Sequence, residues 1–232
     1  KRTTSFCDFD DGIHTYRIPA LATTPQGTLL CVYDMRRRAG RDLQEDIDIG
    51  LLRSTDGGQS WDPQRVIMDM HEYGDLPQEQ NGCSDPGIIV DPKTGEIFVA
   101  AVWTWGRPGT HQWSKGGSEP GFEIGQTAQF LMVRSRDDGR TWSEPENFTR
   151  KLKKKEWILF VPSPQQGIAL PDGTLIMPSQ GRDEQDREFS KPTKLRSVPA
   201  RRGIDGETRL TYPQPAREDR QRRASQRLSV YE

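Results

Sequence analysis

Two arginines and an aspartate near the start of the chain have the residue types and spacing to do chemistry. Arg17 stands in Y-R-I-P, Arg36 closes the run T-L-L-C-V-Y-D-M-R, and Asp42 follows six residues later, beyond Gly40. Guanidinium groups are planar donor forks, and two of them brought together bind one carboxylate through charge-assisted hydrogen bonds. Taken singly, each of these charges reads first as a solvated loop residue. The chemistry depends on whether the fold makes them converge.

The elements needed for convergence are legible. Pro19 sets its own φ and biases Ile18 toward extended geometry, so a strand starts at Tyr16. Thr28 to Tyr33 is a run of β-formers, and Pro25-Gln26-Gly27 before it is a turn. The pair is a hairpin with Arg17 at the start of one strand and Arg36 at the end of its partner.

The same pattern recurs. Gly87 to Trp103 and Gly167 to Gln180 are again strand, turn and strand. Between these hairpins lie two copies of S-x-D-x-G-x-[ST]-W, carried by Ser54, Asp56, Gly58 and Trp61 and by Ser135, Asp137, Gly139 and Trp142. Each follows a strand. Turn chemistry explains their fixed positions: the aspartate accepts backbone N–H groups, the glycine takes positive φ, and the tryptophan is expected to wedge between neighbouring sheets. Two hairpins make a four-stranded sheet, and a series of such sheets is a propeller. The class is therefore all-β, with blade one over about 18–61, blade two over about 87–142 and half of blade three ending near residue 180.

Composition narrows the function. The 232 residues carry a net charge of -1, which gives no bulk electrostatic case for nucleic acid. No apolar run is long enough to span a membrane as a helix. Cys7, Cys31 and Cys83 are odd in number and widely spaced, which favours buried thiols over a metal site or a disulfide framework. His14, His71 and His111 have no ligand spacing. Two segments are expected, 1–190 folded and 191–232 irregular. The second holds 11 Lys and Arg against 5 Asp and Glu, with 11 apolar residues in 42 and no strand alternation. Lys1 is not a start methionine, so a processed or partial chain is the expectation.

From about Gly12 to Phe189 the chain resembles the bacterial exo-α-sialidases (neuraminidases), on Arg-Ile-Pro, the V-Y-D-M-R strand, D-L-Q-E and the two S-x-D-x-G-x-[ST]-W turns, which match the Asp-box or BNR repeat of that family. The resemblance implies a partial six-bladed β-propeller of about two and a half blades. It also implies that Arg17 and Arg36 are two members of a triad that binds the carboxylate of sialic acid. Asp42 would be the acid/base, with Arg38 and Arg41 beside it stabilising its carboxylate form, in a loop free to close over the sugar. Asp85, in C-S-D-P-G, would contact a sugar hydroxyl, and its competing reading is a turn aspartate before Pro86. Gln129 and Gln180 match family positions near the site. Trp103, Trp105 and Trp113 fall in or after the second blade's loop, where one would face the N-acetyl or glycerol side chain of the sugar, the competing and commoner reading being a propeller-core tryptophan.

Sialidases are exceptions to the two-carboxylate rule of glycosidases and use a tyrosine nucleophile. That tyrosine, its glutamate and the third arginine belong to later family blades. Tyr212, Tyr231, Glu207 and Glu218 lie in the tail without a recognisable motif and receive no role. The implied function is retaining hydrolysis of terminal sialic acid from sialylated glycans, with no metal and no cofactor, in a secreted or periplasmic setting. Transglycosylating variants share the motifs. A non-catalytic Asp-box propeller and an inactive portion of a sialidase are the competing functions.

Overall fold

The computed structural model describes residues 10–105, 111–114 and 116–195. All belong to one compact unit, Lys1–Pro199, and the second unit, Ala200–Glu232, lies outside the described residues together with Tyr212, Tyr231, Glu207 and Glu218. Cys7 lies outside them too.

The first sheet is an antiparallel meander of β1 (Thr15–Thr23), β2 (Leu29–Arg36), β3 (Ile47–Ser54) and β4 (Arg65–Met68), joined in chain order. The second repeats it with β5 (Cys83–Val90), β6 (Ile97–Trp103), β7 (Gln129–Ser135) and β8 (Glu146–Asn147). The third blade is built from interrupted strands. Its inner path is β9 (Leu159–Pro162), β10 (Gln165–Gln166) and β11 (Ile168–Ala169), its middle path β12 (Leu175–Met177) and β13 (Ser179–Arg182), and its outer path β14 (Glu188–Ser190) and β15 (Thr193–Leu195). β9 and β14 flank β13, β11 and β15 flank β12, and β10 leaves its own blade to lie parallel beside β5.

This is an all-β, incomplete propeller, with the hairpins where the sequence pattern puts them. The third blade holds three strand paths where the hairpin reading expects two. The outer one runs across residue 190, the expected segment boundary.

The blades stack face to face. β5 packs against β1, β2 and β3, while β9 packs against β6 and β7. In β1 the alternation is simple: Ala20 and Ala22 are buried while Leu21 and Thr23 face out. The layer between blades two and three is aromatic. Phe130, Phe160 and Phe189 stack with centroids 6.2 Å and 6.1 Å apart, and Trp157 closes on Phe189 at 4.6 Å. Truncating a ring as buried as Phe160 costs about 3–5 kcal/mol.

The two S-x-D-x-G-x-[ST]-W turns are superimposable in their bonding. Ser54 Oγ donates to Asp56 at 2.8 Å and accepts the Gly58 N–H at 2.9 Å, while Asp56 accepts the Ser60 N–H at 2.9 Å. Ser135, Asp137, Gly139 and Thr141 make the same set at 2.8, 3.0 and 2.8 Å. Gly58 and Gly139 have φ of 85° and 78°.

Each tryptophan is half-buried and lies close to its own turn. Trp142 folds back to donate its indole N–H to Gly139 O at 3.2 Å, and the Trp61 ring lies over Gly58 of its own turn. The bond between sheets is made by Asp138. Its carboxylate accepts the hydroxyls of Thr24 and Thr28 and the Arg53 guanidinium, each at 2.6 Å, which fastens the second blade's turn to the first blade.

Candidate functional site

The site begins at two matching kinks. In β1, Arg17 pairs with Asp34 and Ala20 with Val32, so Ile18 and Pro19 together oppose Tyr33 alone. In β5, Ser84 pairs with Val102 and Gly87 with Ala100, so Asp85 and Pro86 oppose Ala101 alone. The extra residue of each bulge is absorbed by a positive φ, 55° at Ile18 and 59° at Asp85. The expectation of an extended Ile18 is therefore corrected: the bulge imposes a left-handed residue even though it is β-branched, at a cost of about 1–2 kcal/mol. Bulges of this kind re-aim the neighbouring side chain.

Arg36 is wholly buried, as is Asp34 two residues before it on the same face of β2. Arg36 gives its Nε and Nη2 to Asp34 Oδ2 at 3.2 and 3.0 Å. Its Nη1 reaches Gly40 O and Asp42 Oδ1, both at 2.8 Å. Arg17, half exposed on β1, approaches the same Asp42 Oδ1 at 3.5 Å. The two arginines thus converge, and the carboxylate they meet in this structure is that of Asp42. One edge of the Arg36 fork is spent on Asp34, so Nη1 is the donor it turns outward.

Asp34 is the residue that sequence reasoning missed. Besides Arg36 it accepts the Ser84 hydroxyl at 2.7 Å and the Asp85 N–H at 3.0 Å, joining the end of β2 to the head of β5. Burial pushes its pKa up to about 7, against the Ser84 hydroxyl and the Arg36 guanidinium, which pull it down. The only sequence signal is its i, i+2 spacing to Arg36 on a strand.

Asp85 joins the group through electrostatics. Burial raises its pKa, the negative charge of Asp42 raises it further, and Arg36, Ser84 and His111 oppose both. Asp42, Arg36 and His111 are therefore near enough to act on Asp85, which stands at the head of β5.

The loop bearing Asp42 is anchored on both sides, contrary to the expected free loop. Arg38 and Arg41 turn to Glu45 rather than to Asp42, at 2.7 and 2.6 Å, and Glu45 is itself buried. Gln44 accepts the Thr104 hydroxyl at 2.6 Å and donates to Gln80 O and Thr104 O. Leu43 is buried in a cluster with Ile47, Val102, Leu159 and Val161. Gly82 sits beneath the loop, where a Cβ would collide with the Glu45 carbonyl oxygen.

Two other candidates lie at the same end of the second sheet, Trp103 opposite Cys83 and Gln129 opposite Trp103, but are buried. Trp103 is fully buried and meets Tyr73 edge-on at 5.1 Å. Gln129 is buried too, and its amide donates to Phe122, Glu123 and Thr127 carbonyls and accepts Asn147, pinning a loop. Neither side chain offers a surface to a ligand. Gln180 is half-buried in β13, opposite Val161 and Ser190. Trp105 donates to Tyr73 O at 2.9 Å, and the Trp113 ring packs on the cluster that holds Leu43.

The Asp-box aspartates are remote from this rim. Register places Arg36 opposite Ile47 and Leu29 opposite Ser54, so the turn after Ser54 lies at the other end of the sheet. Cys31 and Cys83 are free thiols that burial pushes up in pKa. Among the described residues no group of three His, Cys, Asp or Glu is arranged to hold a metal ion, and no helix is long and apolar enough to cross a membrane.

Residues 19–217 match the model of the BNR repeat-like domain. The chain is 46% identical over 171 residues to a sialidase of Bacteroides fragilis, covering 74% of this chain and 31% of that protein. It resembles the solved Hadza microbial sialidase Hz136 with a TM-score of 0.75 and 44% identity, over 78% of this chain and 35% of that one. The fold extends to the Trypanosoma rangeli sialidase solved with sialic acid, at a TM-score of 0.63 and 17% identity, over 84% and 32%. The chain thus spans about a third of the length of these proteins.

Proposed function

The chain belongs to the BNR repeat-like domain family, and we propose that it forms the carboxylate-binding and proton-donating part of an exo-α-sialidase acting on sialylated glycans. The observation that carries this reading is the convergence of Arg17 and Arg36 on the single oxygen Asp42 Oδ1. A scaffold propeller has no need to bury a guanidinium, brace it with a carboxylate and aim its remaining N–H groups at a rim.

In this reading the ligand carboxylate docks against Arg17 and the Nη1 edge of Arg36, displacing Asp42 from them. Asp34 keeps Arg36 from rotating, so the donor is preorganised before the ligand arrives. Asp42, released toward the glycosidic oxygen, protonates the leaving group and then activates water, the two duties of one acid/base in a retaining mechanism. Asp85 accepts a hydroxyl of the sugar. The nucleophile is a tyrosine, because a carboxylate nucleophile would be repelled by the substrate's own carboxylate, and this segment carries no motif for it.

The test is release of a fluorogenic alcohol from its α-sialoside. The 232-residue chain alone should turn over no faster than its Asp42→Asn variant. Joined in frame to the remainder of the Bacteroides fragilis sialidase it should hydrolyse the sialoside, and Asp42→Asn should then cut the rate about 100-fold or more. Undiminished turnover by the Asp42→Asn fusion would contradict the assignment.

A further inference from the structure

The bulge that shapes the site in blades one and two occurs a third time. In blade three, β9 ends with Pro162 opposite Ser179 and β11 resumes with Ile168 opposite Ile176. Ser163 still donates its N–H to Pro178 O at 2.9 Å, and residues 164–167 loop out beyond it before Ile168. Within that loop Gln165 has φ of 90°, as Ile18 has 55° and Asp85 has 59°. The strings align residue for residue: Ile18-Pro19-Ala20-Leu21, Asp85-Pro86-Gly87-Ile88 and Gln165-Gln166-Gly167-Ile168. Each is the point where a blade's inner path kinks before running inward.

Because its loop is longer, blade three carries this kink across to the neighbouring blade. Gln165 pairs with Gly87 and Gln166 with Ile88, in parallel register, two residues beyond Asp85. Gly87 is what permits the approach, since a Cβ there would come within 2.9 Å of Ser163 O and 3.5 Å of Gln165 O. Gln165 and Gln166 are both exposed. Among the described residues no hydrogen bond holds the Gln165 amide, in contrast to the fully occupied amide of Gln129. A non-glycine residue held at φ of 90° costs conformational energy, and such strain persists where the surroundings over-determine it.

We infer that Gln165 is a ligand-contacting residue of the same site, the third blade's counterpart of Asp85. Its amide takes neutral hydroxyl groups on the part of the sugar remote from the carboxylate. The inference rests on the reading of Arg17 and Arg36 as the carboxylate clamp. With the carboxylate held on blade one and Asp85 beside it on blade two, the next rim position in chain order is on blade three, where Gln165 lies beside Gly87. A primary amide both donates and accepts, and carries no charge, which matches hydroxyl groups and not a second anion.

The experiment is calorimetric titration of the 232-residue chain with two ligands. One is 2-deoxy-2,3-dehydro-sialic acid, and the other is the same compound with its glycerol side chain shortened by periodate and reduced. Gln165→Gly removes the amide and relaxes the backbone, while Gln165→Asn keeps an amide in a residue that tolerates positive φ. Gln165→Gly should weaken the intact ligand about fivefold and leave the shortened one unchanged, with partial recovery in Gln165→Asn. Equal loss for both ligands, or no loss for either while Arg36→Ala abolishes binding, would overturn the assignment of Gln165 and spare the clamp. Absence of binding by the unsubstituted chain would overturn the clamp itself, and this inference with it.

Discussion

Arg36 Nη1 lies 2.8 Å from Asp42 Oδ1, a buried guanidinium bonded to a carboxylate whose side chain is 59% exposed. On the proposed reading the pair would set the order of events at the site, because a ligand carboxylate would compete with Asp42 for the same donor. Arg36→Ala should weaken a carboxylate ligand at least tenfold, since it removes one partner of a buried charge pair. Asp42→Asn should leave affinity intact or raise it. Calorimetry on the two variants separates the roles, and equal loss in both would contradict the division.

Gly82 tests how firmly the Asp42 loop is seated. A side chain at this position meets the Glu45 carbonyl oxygen and Leu43, and backbone there has little room to yield. Gly82→Ala should therefore displace the loop and lower stability by about 1–3 kcal/mol, read from urea unfolding. An unchanged midpoint together with unchanged ligand binding would show that the loop is not packed as described.

Asp138 is predicted to be worth more than either Asp-box aspartate. Asp138→Ala leaves the Thr24 and Thr28 hydroxyls and the buried Arg53 without their partner. The expected loss is about 3 kcal/mol, and removing Arg53 as well should cost little more, because the pair acts as a unit. Additive losses in the double variant would contradict the latch.

The Asp-box turns carry a pH signature. The Ser60 hydroxyl and N–H and the Ser54 hydroxyl hold Asp56 down to about 2. Asp137 is likewise held at about 2 by the Thr141 hydroxyl and N–H and by Ser135, which outweigh the burial that would raise it. A depressed carboxylate contributes stability that is complete above the unfolded value of about 4 and is lost as pH falls through about 2. Carboxyl-carbon NMR titration should give midpoints near 2 for both residues, and midpoints near 4 would contradict the turn geometry.

Much of this was legible in the sequence because it depends on local rules. Turn residues mark the hairpins, and the spacing of Arg17, Arg36 and Asp42 at strand ends places them on one rim. The parts that were not legible depend on register and on contacts between blades. Pro19 argues for an extended Ile18, yet two residues facing one across β1 and β2 force positive φ. Asp34 reads as one polar residue in a strand until its partners on β5 are seen. Asp138 occupies the variable position of its turn, so no pattern marks it as the group that joins two sheets. Gln129 and Trp103 stand near the rim in sequence, but their alternation on fully buried strands turns them inward.

The proposed function requires that this segment recognise a carboxylate on a sugar. The direct measurement is the affinity of the 232-residue chain for 2-deoxy-2,3-dehydro-sialic acid compared with its methyl ester, which removes the charge and adds one methyl group. The acid should bind at least tenfold more tightly than the ester, and Arg17→Ala and Arg36→Ala should erase that difference. Equal affinity for acid and ester, or a preference that survives both substitutions, would contradict it.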